Sequence, residues 1–386
     1  MKIFYLYIDK KNKLFQTISL ILIMSILSYF IIYSKLNYKI VKNIVDIFIS
    51  SILPSLFPFI LFSNILIYSN YFSLISNSSI NNIVKHFFKV SNYGASAIIF
   101  GFLFGYPNGA RYVNELYEKK KISFKEAEYL LLFINNGSPA FILSTIGIGI
   151  FQNLKIGVFL LISHILASIL VGKIYSYKYK ETKDNKDNLK DIDIYDYSIT
   201  FEVITKSITK SIFTMCMIFG FMVIFILINN YLLKISSLVI TPNKYISAFS
   251  LCIMEIASGL NKIINLPYDL KSLLTTLSFF LGFSSLSIIL QIFSCIYKCK
   301  FKLNNIIKGK LLHGLFSAII TYILLSIPRI YQYINLTKNA NYNIDLHINF
   351  NPLKYYILIY TFLNLILIYI FTYLYTKKKR LKNRFF

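Results

Sequence analysis

Apolar runs of twenty residues or more alternate with short polar or basic stretches along most of this chain. The runs at residues 14–33, 44–69, 154–177, 204–233, 270–297, 307–327 and 355–375 are each long enough to cross the roughly 30 Å hydrocarbon layer as a helix. Residues 124–151 form an eighth run, interrupted at Asn135-Asn136-Gly137-Ser138-Pro139. Two further apolar stretches are too short to cross alone. Residues 93–105 lead through a Gly105–Gly109 turn into residues 108–119, and residues 248–264 carry Glu255, Ser258 and Gly259 in their middle. Both read as re-entrant hairpins. Residues 70–92 are Ser- and Asn-rich, and the amphipathic stretch around Val84–Phe87 reads as an interfacial helix.

The breaks are informative because a bilayer offers no water to unpaired backbone groups. A helix interrupted at membrane depth persists only where protein or an aqueous cavity satisfies the freed N–H and C=O groups. Transporters place such interruptions at mid-membrane, where the freed helix ends meet a substrate or ion. The second such interruption is Gly282-Phe283-Ser284-Ser285 within residues 270–297.

The features recur at a near-constant offset. A shift of 150 places Gly109 on Gly259. A shift of 149 places Asn135, Asn136 and Ser138 on Ser284, Ser285 and Ser287, and His164-x-x-x-Ser168 on His313-x-x-x-Ser317. Each half reads span, hairpin, broken span, span. Three crossings per half put the second half into the membrane upside down. The predicted fold is an all-α polytopic membrane protein with about eight transmembrane helices and two re-entrant hairpins, arranged as an inverted-topology repeat with broken helices. The boundaries are an N-terminal tail and first span (1–43), a first repeat (44–177), a charged loop (178–203), a second repeat (204–327), and a loop, last span and basic tail (328–386).

Composition agrees, with 56% hydrophobic residues and a mean hydropathy of +0.60. The 41 Lys and Arg against 16 Asp and Glu would suit a nucleic-acid binder. They cluster instead at the ends of apolar runs, so no nucleic-acid partner is predicted. With both termini cytoplasmic, the inward segments hold more than twice as many basic residues as the outward ones, as the positive-inside rule requires. The four cysteines form no CxxC pair and read as apolar filler. No HExxH or GxSxG occurs and no paired intramembrane Asp, so neither an enzyme, a metal site nor a cofactor is predicted.

At GYPNGARYVNELYEKKKIS (105–123) and EAEYLLLFINNGSPAFIL (126–143) the chain resembles the sporulation integral membrane protein family typified by YlbJ. Glu255, Gly259, LGFSSLSIILQ (281–291) and GKLLHGL (309–315) extend the resemblance into the second half. It covers roughly residues 45–330. The chain departs from the family's wording at Asn108, at Gly137-Ser138, at Ser284-Ser285 where Gly-Gly is expected, and at Ile289. The resemblance implies a nucleoside-recognition or Gate-type repeat and a plan like that of concentrative nucleoside transporters. It also implies movement of dipicolinate across the outer forespore membrane during endospore formation.

A flat aromatic dianion asks for cations, N–H donors and helix N-termini. Arg111 is the leading residue, because a guanidinium grips a carboxylate through two parallel bonds. Its competing role is an ion pair with Glu115, one turn on. Asn108, Gly109, Asn135, Asn136, Ser138, Ser258, Gly259, Ser284, Ser285, Ser287 and Gln291 complete the expected substrate site. Glu255 either binds a coupling ion or pairs with Lys262. His164 and His313 are expected to hydrogen-bond neighbouring spans rather than shuttle protons. The alternatives are transport of a nucleoside or other small solute, or a non-transporting role in spore envelope assembly.

Overall fold

A computed structural model of the chain describes residues 13–72, 78–179, 198–238, 242–299 and 301–339. The predicted span at 355–375, the basic tail and most of the charged loop lie outside the described residues. Among those described the chain is helical, without a strand.

Helix α1 (Lys13–Ile32) is followed by α2 (Ser34–Ile47), which runs through a π-helical turn (Phe48–Ile52) into α3 (Leu53–Tyr68). Then come α4 (Ser79–Phe88), α5 (Asn92–Phe104), α6 (Asn108–Glu118) and α7 (Phe124–Leu131). After an unwound stretch, a π-helical segment (Phe141–Ile150) leads to α8 (Leu154–Ser176) and the 36-residue α9 (Phe201–Ser236). The second half continues with α10 (Lys244–Met254), α11 (Ile256–Ile264), α12 (Leu270–Phe283), α13 (Ser285–Ile296), α14 (Leu303–Ser326) and α15 (Pro328–Asn339).

Local chemistry sets many of these boundaries. Ser78, Ser91, Ser123, Asn153, Thr200, Asn243 and Asp269 each cap the helix they precede by accepting a backbone N–H. Gly105 ends α5 at φ 64° and ψ −165°, a region open essentially to glycine alone. Where small residues face one another, backbones touch. A Cβ on Gly282 would lie 2.7 Å from Gly314 Cα, and one on Gly147 would lie 2.9 Å from Gly157 Cα. Such close approach is the usual source of helix association in a bilayer, where burying Leu against lipid tails gains little.

Among the described residues, five helices are long and apolar enough to cross a membrane: Ser34–Tyr68, Leu154–Ser176, Phe201–Ser236, Leu270–Ile296 and Leu303–Ser326. A sixth is counted if α4 and α5, bent by 99° at their junction, make one span. Of the eight expected spans, the one at 355–375 lies outside the described residues. The 124–151 run is divided by its unwound stretch into an eight-residue helix and a ten-residue π segment, neither able to cross alone. The first expected span, at 14–33, is α1 (Lys13–Ile32). The stretch read as interfacial is α4, turned sharply against α5. The turn at Gly105 does fold α6 back on α5, and a Cβ on Gly109 would lie 3.3 Å from Gly101 Cα.

The offset between halves recurs in the elements. Helices α8 and α14 begin at Leu154 and Leu303, a difference of 149 (303 less 154). Tyr129 Oη donates to the Gly172 carbonyl at 2.8 Å, and at the positions 149 later Thr321 Oγ1 donates to Ser278 Oγ at 2.7 Å.

Candidate functional site

The first break, residues 132–138, gives up regular helix, and the rest of the molecule takes over its backbone groups. The Asn136 carbonyl accepts from Tyr106 N at 2.8 Å, in the turn between α5 and α6. Gly137 N donates to His164 Nε2 at 3.0 Å. Asn136 Nδ2 donates to Ser168 Oγ at 2.9 Å, and Ser168 Oγ donates on to the Phe133 carbonyl at 2.7 Å. The Asn135 carbonyl accepts from Lys310 Nζ. Within the break, Phe141 N donates to Ser138 Oγ at 3.2 Å, so Ser138 caps the π-helical segment. No freed group is left to lipid where these bonds are made, as a buried interruption requires.

The two histidines join the halves. His164 Nε2 is an acceptor, so its ring carries its proton on Nδ1, while His313 Nε2 donates to the His164 carbonyl at 2.9 Å. Their ring centroids are 4.4 Å apart. Both histidines hydrogen-bond neighbouring segments, as expected.

The second break is smaller. Ser284 (φ 75°) and Ser285 (φ 66°) take left-handed conformations between α12 and α13. This accounts for the Gly-Gly expected there, since a Cβ in that region costs about 1–2 kcal/mol per residue. Ser284 Oγ stays local, donating to the Leu281 carbonyl at 3.2 Å, and Gln291 Nε2 donates to Ser287 Oγ at 3.2 Å. In the hairpin before it, Glu255 caps α11: its two carboxylate oxygens accept from Ala257 N at 3.0 Å and Ser258 N at 2.8 Å. Glu255 is buried and does not pair with Lys262, whose ammonium reaches Ser247 Oγ at 3.4 Å instead.

Arg111 does not pair with Glu115 either. Glu115 holds Lys119 at 2.7 Å, whereas Arg111 donates to Asn64 Oδ1 and, at 3.4 Å, to Thr214 Oγ1. Asn64 is fully buried and its amide nitrogen is held by Ser211 at 2.8 Å. The guanidinium is thereby fixed between α3, α6 and α9. It lines a cavity of about 550 Å³ together with Asn114, Lys210, Thr214, Gln291 and Ser294. The exposed Glu118 also lines this space. The cavity therefore holds two cations and one carboxylate.

The structure thus groups the expected site residues into sets. Arg111 and Gln291 share the cavity. Asn135, Asn136, Ser138 and Gly109 meet at the first break, with Asn135 Oδ1 3.4 Å from where a Cβ on Gly109 would lie. Ser284, Ser285 and Ser287 form the second break, and Ser258 lines a separate cavity. Gly259 packs on Cys252. Asn108 is fully buried with neither amide atom hydrogen-bonded, and Tyr106 Oη and Ser285 Oγ likewise lack partners. Unmatched buried polar groups are costly and concentrate at working sites.

Sequence reasoning missed Lys310. It reads there as one of the cytoplasmic basic residues before the last repeat span, yet it is 1% exposed within α14. The available signal was its position three residues before His313, on the face that carries Gly314, Ser317 and Thr321. Lys210, Asn64 and Thr214 were also missed, being single polar residues in apolar runs. Among the described residues, no three His, Cys, Asp or Glu side chains come together as a metal site.

Comparison with known proteins gives one informative match. The chain is 25% identical over 301 residues to the sporulation integral membrane protein YlbJ of Bacillus subtilis (strain 168), covering 71% of this chain and 74% of that protein. No family model and no solved structure matches. The match supports the resemblance read from the sequence: this multi-pass membrane protein is similar to the sporulation integral membrane protein YlbJ over most of its length.

Proposed function

We propose that this chain is a secondary-type transporter of a small organic anion, dipicolinic acid, across the outer forespore membrane during endospore formation. The observation that carries the reading is the Arg111 cavity. Its size falls in the range of small-molecule sites, and its walls combine two cations with amide and hydroxyl donors. An Arg in a membrane segment costs at least about 2.5–3.5 kcal/mol to insert, so it marks a functional pathway by default. Here it is aimed into a cavity by Asn64 rather than neutralised by a carboxylate. The near-constant offset between halves supports a repeat, and the two helix breaks supply the discontinuities on which such transporters act.

A second reading, transport of a neutral nucleoside, draws on the polar lining of Asn114, Thr214, Gln291 and Ser294. Arg111 separates the two. Arg111→Lys keeps the charge but loses the bidentate geometry, and weakens dipicolinate binding moderately. Arg111→Gln loses both and weakens it by about ten- to a hundredfold, the worth of a charge-assisted hydrogen bond. Dipicolinate affinity and uptake by the three proteins at equal membrane abundance make the test. Equal activity would refute the anion reading, and a nucleoside carrier would show no graded loss.

A further inference from the structure

A second cavity, of about 430 Å³, is lined by Asn43, Asn230, Ser258, Asn261, Lys262 and Asn265 among its polar residues. Helix α9 runs along both cavities. Lys210, Thr214 and Ile218 face the first, and Ile226 and Asn230 face the second. Lys210 and Asn230 are separated by about 30 Å at 1.5 Å per residue, the thickness of the hydrocarbon layer. Between the two sets α9 is packed shut: Met222 is buried and the Phe219 ring lies 5.0 Å from that of Phe48. The cavities therefore lie toward opposite ends of one spanning helix with a dry layer between them.

The second arms of the two bent pairs line them in corresponding ways. Arg111 of α6 and Asn261 of α11 are 150 residues apart (261 less 111), the offset that relates Gly109 to Gly259, and each lines its own cavity. Among the described residues, Lys262 is the one charged residue lining the second cavity. Four asparagine amides surround it. Ser258, at 9% exposure, lines it too, next to the buried Glu255 carboxylate that caps its helix.

We propose that this cavity is a second solute vestibule, on the opposite membrane face from the Arg111 cavity, that takes a small carboxylate-bearing anion. The choice of ligand class rests on the transport reading, and the position and charge preference of the vestibule do not. Lys262 supplies the attraction and the amide N–H groups the donors. Ser258 marks the inner end, where α11 begins beside Glu255. Solute in one vestibule is separated from the other by the Met222 layer, so passage requires that layer to open.

The test uses the full-length chain in sealed vesicles. In one protein Cys295, which lines the first cavity, is the sole cysteine. In others it is replaced by Ser and a single cysteine is placed by Asn261→Cys or, as a second variant, Asn265→Cys; both sites are exposed. A membrane-impermeant maleimide should modify Cys295 from one side and the introduced cysteines from the other. Two methanethiosulfonates of similar size, one with a sulfonate and one with a trimethylammonium, then read the charge of the second cavity. Lys262→Gln should lower the sulfonate-to-ammonium rate ratio by about tenfold, the low end of what charge focusing in a cleft produces. Labelling of both cavities from the same side, or introduced cysteines that react from neither side in folded protein, would overturn the vestibule. An unchanged rate ratio would overturn its anion preference. Absence of dipicolinate uptake with opposite-sided, charge-selective labelling would instead remove the transport reading and leave the vestibule standing.

Discussion

The two helix breaks occupy corresponding places in the two halves but are built on different principles. The first spans seven residues and is held from outside, by Tyr106, His164, Ser168 and Lys310 from three other segments. The second is a two-residue kink held by its own backbone, with Ser284 and Ser285 in left-handed conformations and Ser284 bonding within its own turn. Even the matching helix positions differ. Position 310 of α14 presents a lysine to the first break, whereas the position 149 earlier in α8 is Leu161. A break stitched to α8, α14 and the α5–α6 turn moves only when those move. A break whose strain is local can change shape alone. We therefore expect the first break to act as the fixed frame of the site and the second as its more adaptable partner.

The largest effect that would break this contrast lies at Gly105. A Cβ there would sit 2.6 Å from the Asn136 carbonyl oxygen and from Ser138 N, in a backbone region that only glycine tolerates. Gly105→Ala should cost about 3–5 kcal/mol and sharply lower the yield of folded protein in detergent. A melting temperature within a degree of wild type would show that the turn is not locked to the first break.

Next in size is Lys310→Leu, which copies the other half onto this one. It leaves the buried Asn135 carbonyl without its donor, a loss of about 1–3 kcal/mol. Hydrogen exchange should quicken at residues 132–138 and stay unchanged at residues 282–288. Equal quickening at both breaks would mean that the two are one cooperative unit.

The smallest effect has the opposite sign. Ser285→Gly removes a left-handed Cβ and an unpartnered hydroxyl, so it should stabilise the protein by about 1 kcal/mol, seen as a rise in melting temperature. Destabilisation would show that the Ser285 hydroxyl holds something that the local backbone does not reveal.

Much of this was legible in advance, and the residues show why. Asn135–Pro139 and Gly282–Ser285 announce helix breaks because Gly and Pro act on the backbone wherever they stand. His164 and His313 announce a contact because they share an offset with Ser168 and Ser317. The partners were not legible. Arg111 has a carboxylate one turn away on its own helix, yet it turns to Asn64 and Thr214, which lie 47 and 103 residues distant in sequence. Glu255 is a helix cap and not half of an ion pair with Lys262, because α10 ends at Met254 and Glu255 takes an extended conformation at the head of α11. The 99° bend between α4 and α5 and the shortfall of residues 124–151 as a single span escaped for a related reason. Hydropathy counts apolar residues without recording whether the helix that holds them stays straight.

The sequence by itself determined that this chain lives in a membrane as helices, where those helices cannot continue, and which residues recur in the two halves. These are properties of composition and order, set by the energy of moving side chains and backbone groups out of water. Only the tertiary structure decided which side chains receive the freed backbone groups, which cation faces a cavity, and that a lysine beside a basic loop is buried in the protein. Those outcomes depend on neighbours 47 to 175 residues away in sequence, brought together only by helix packing.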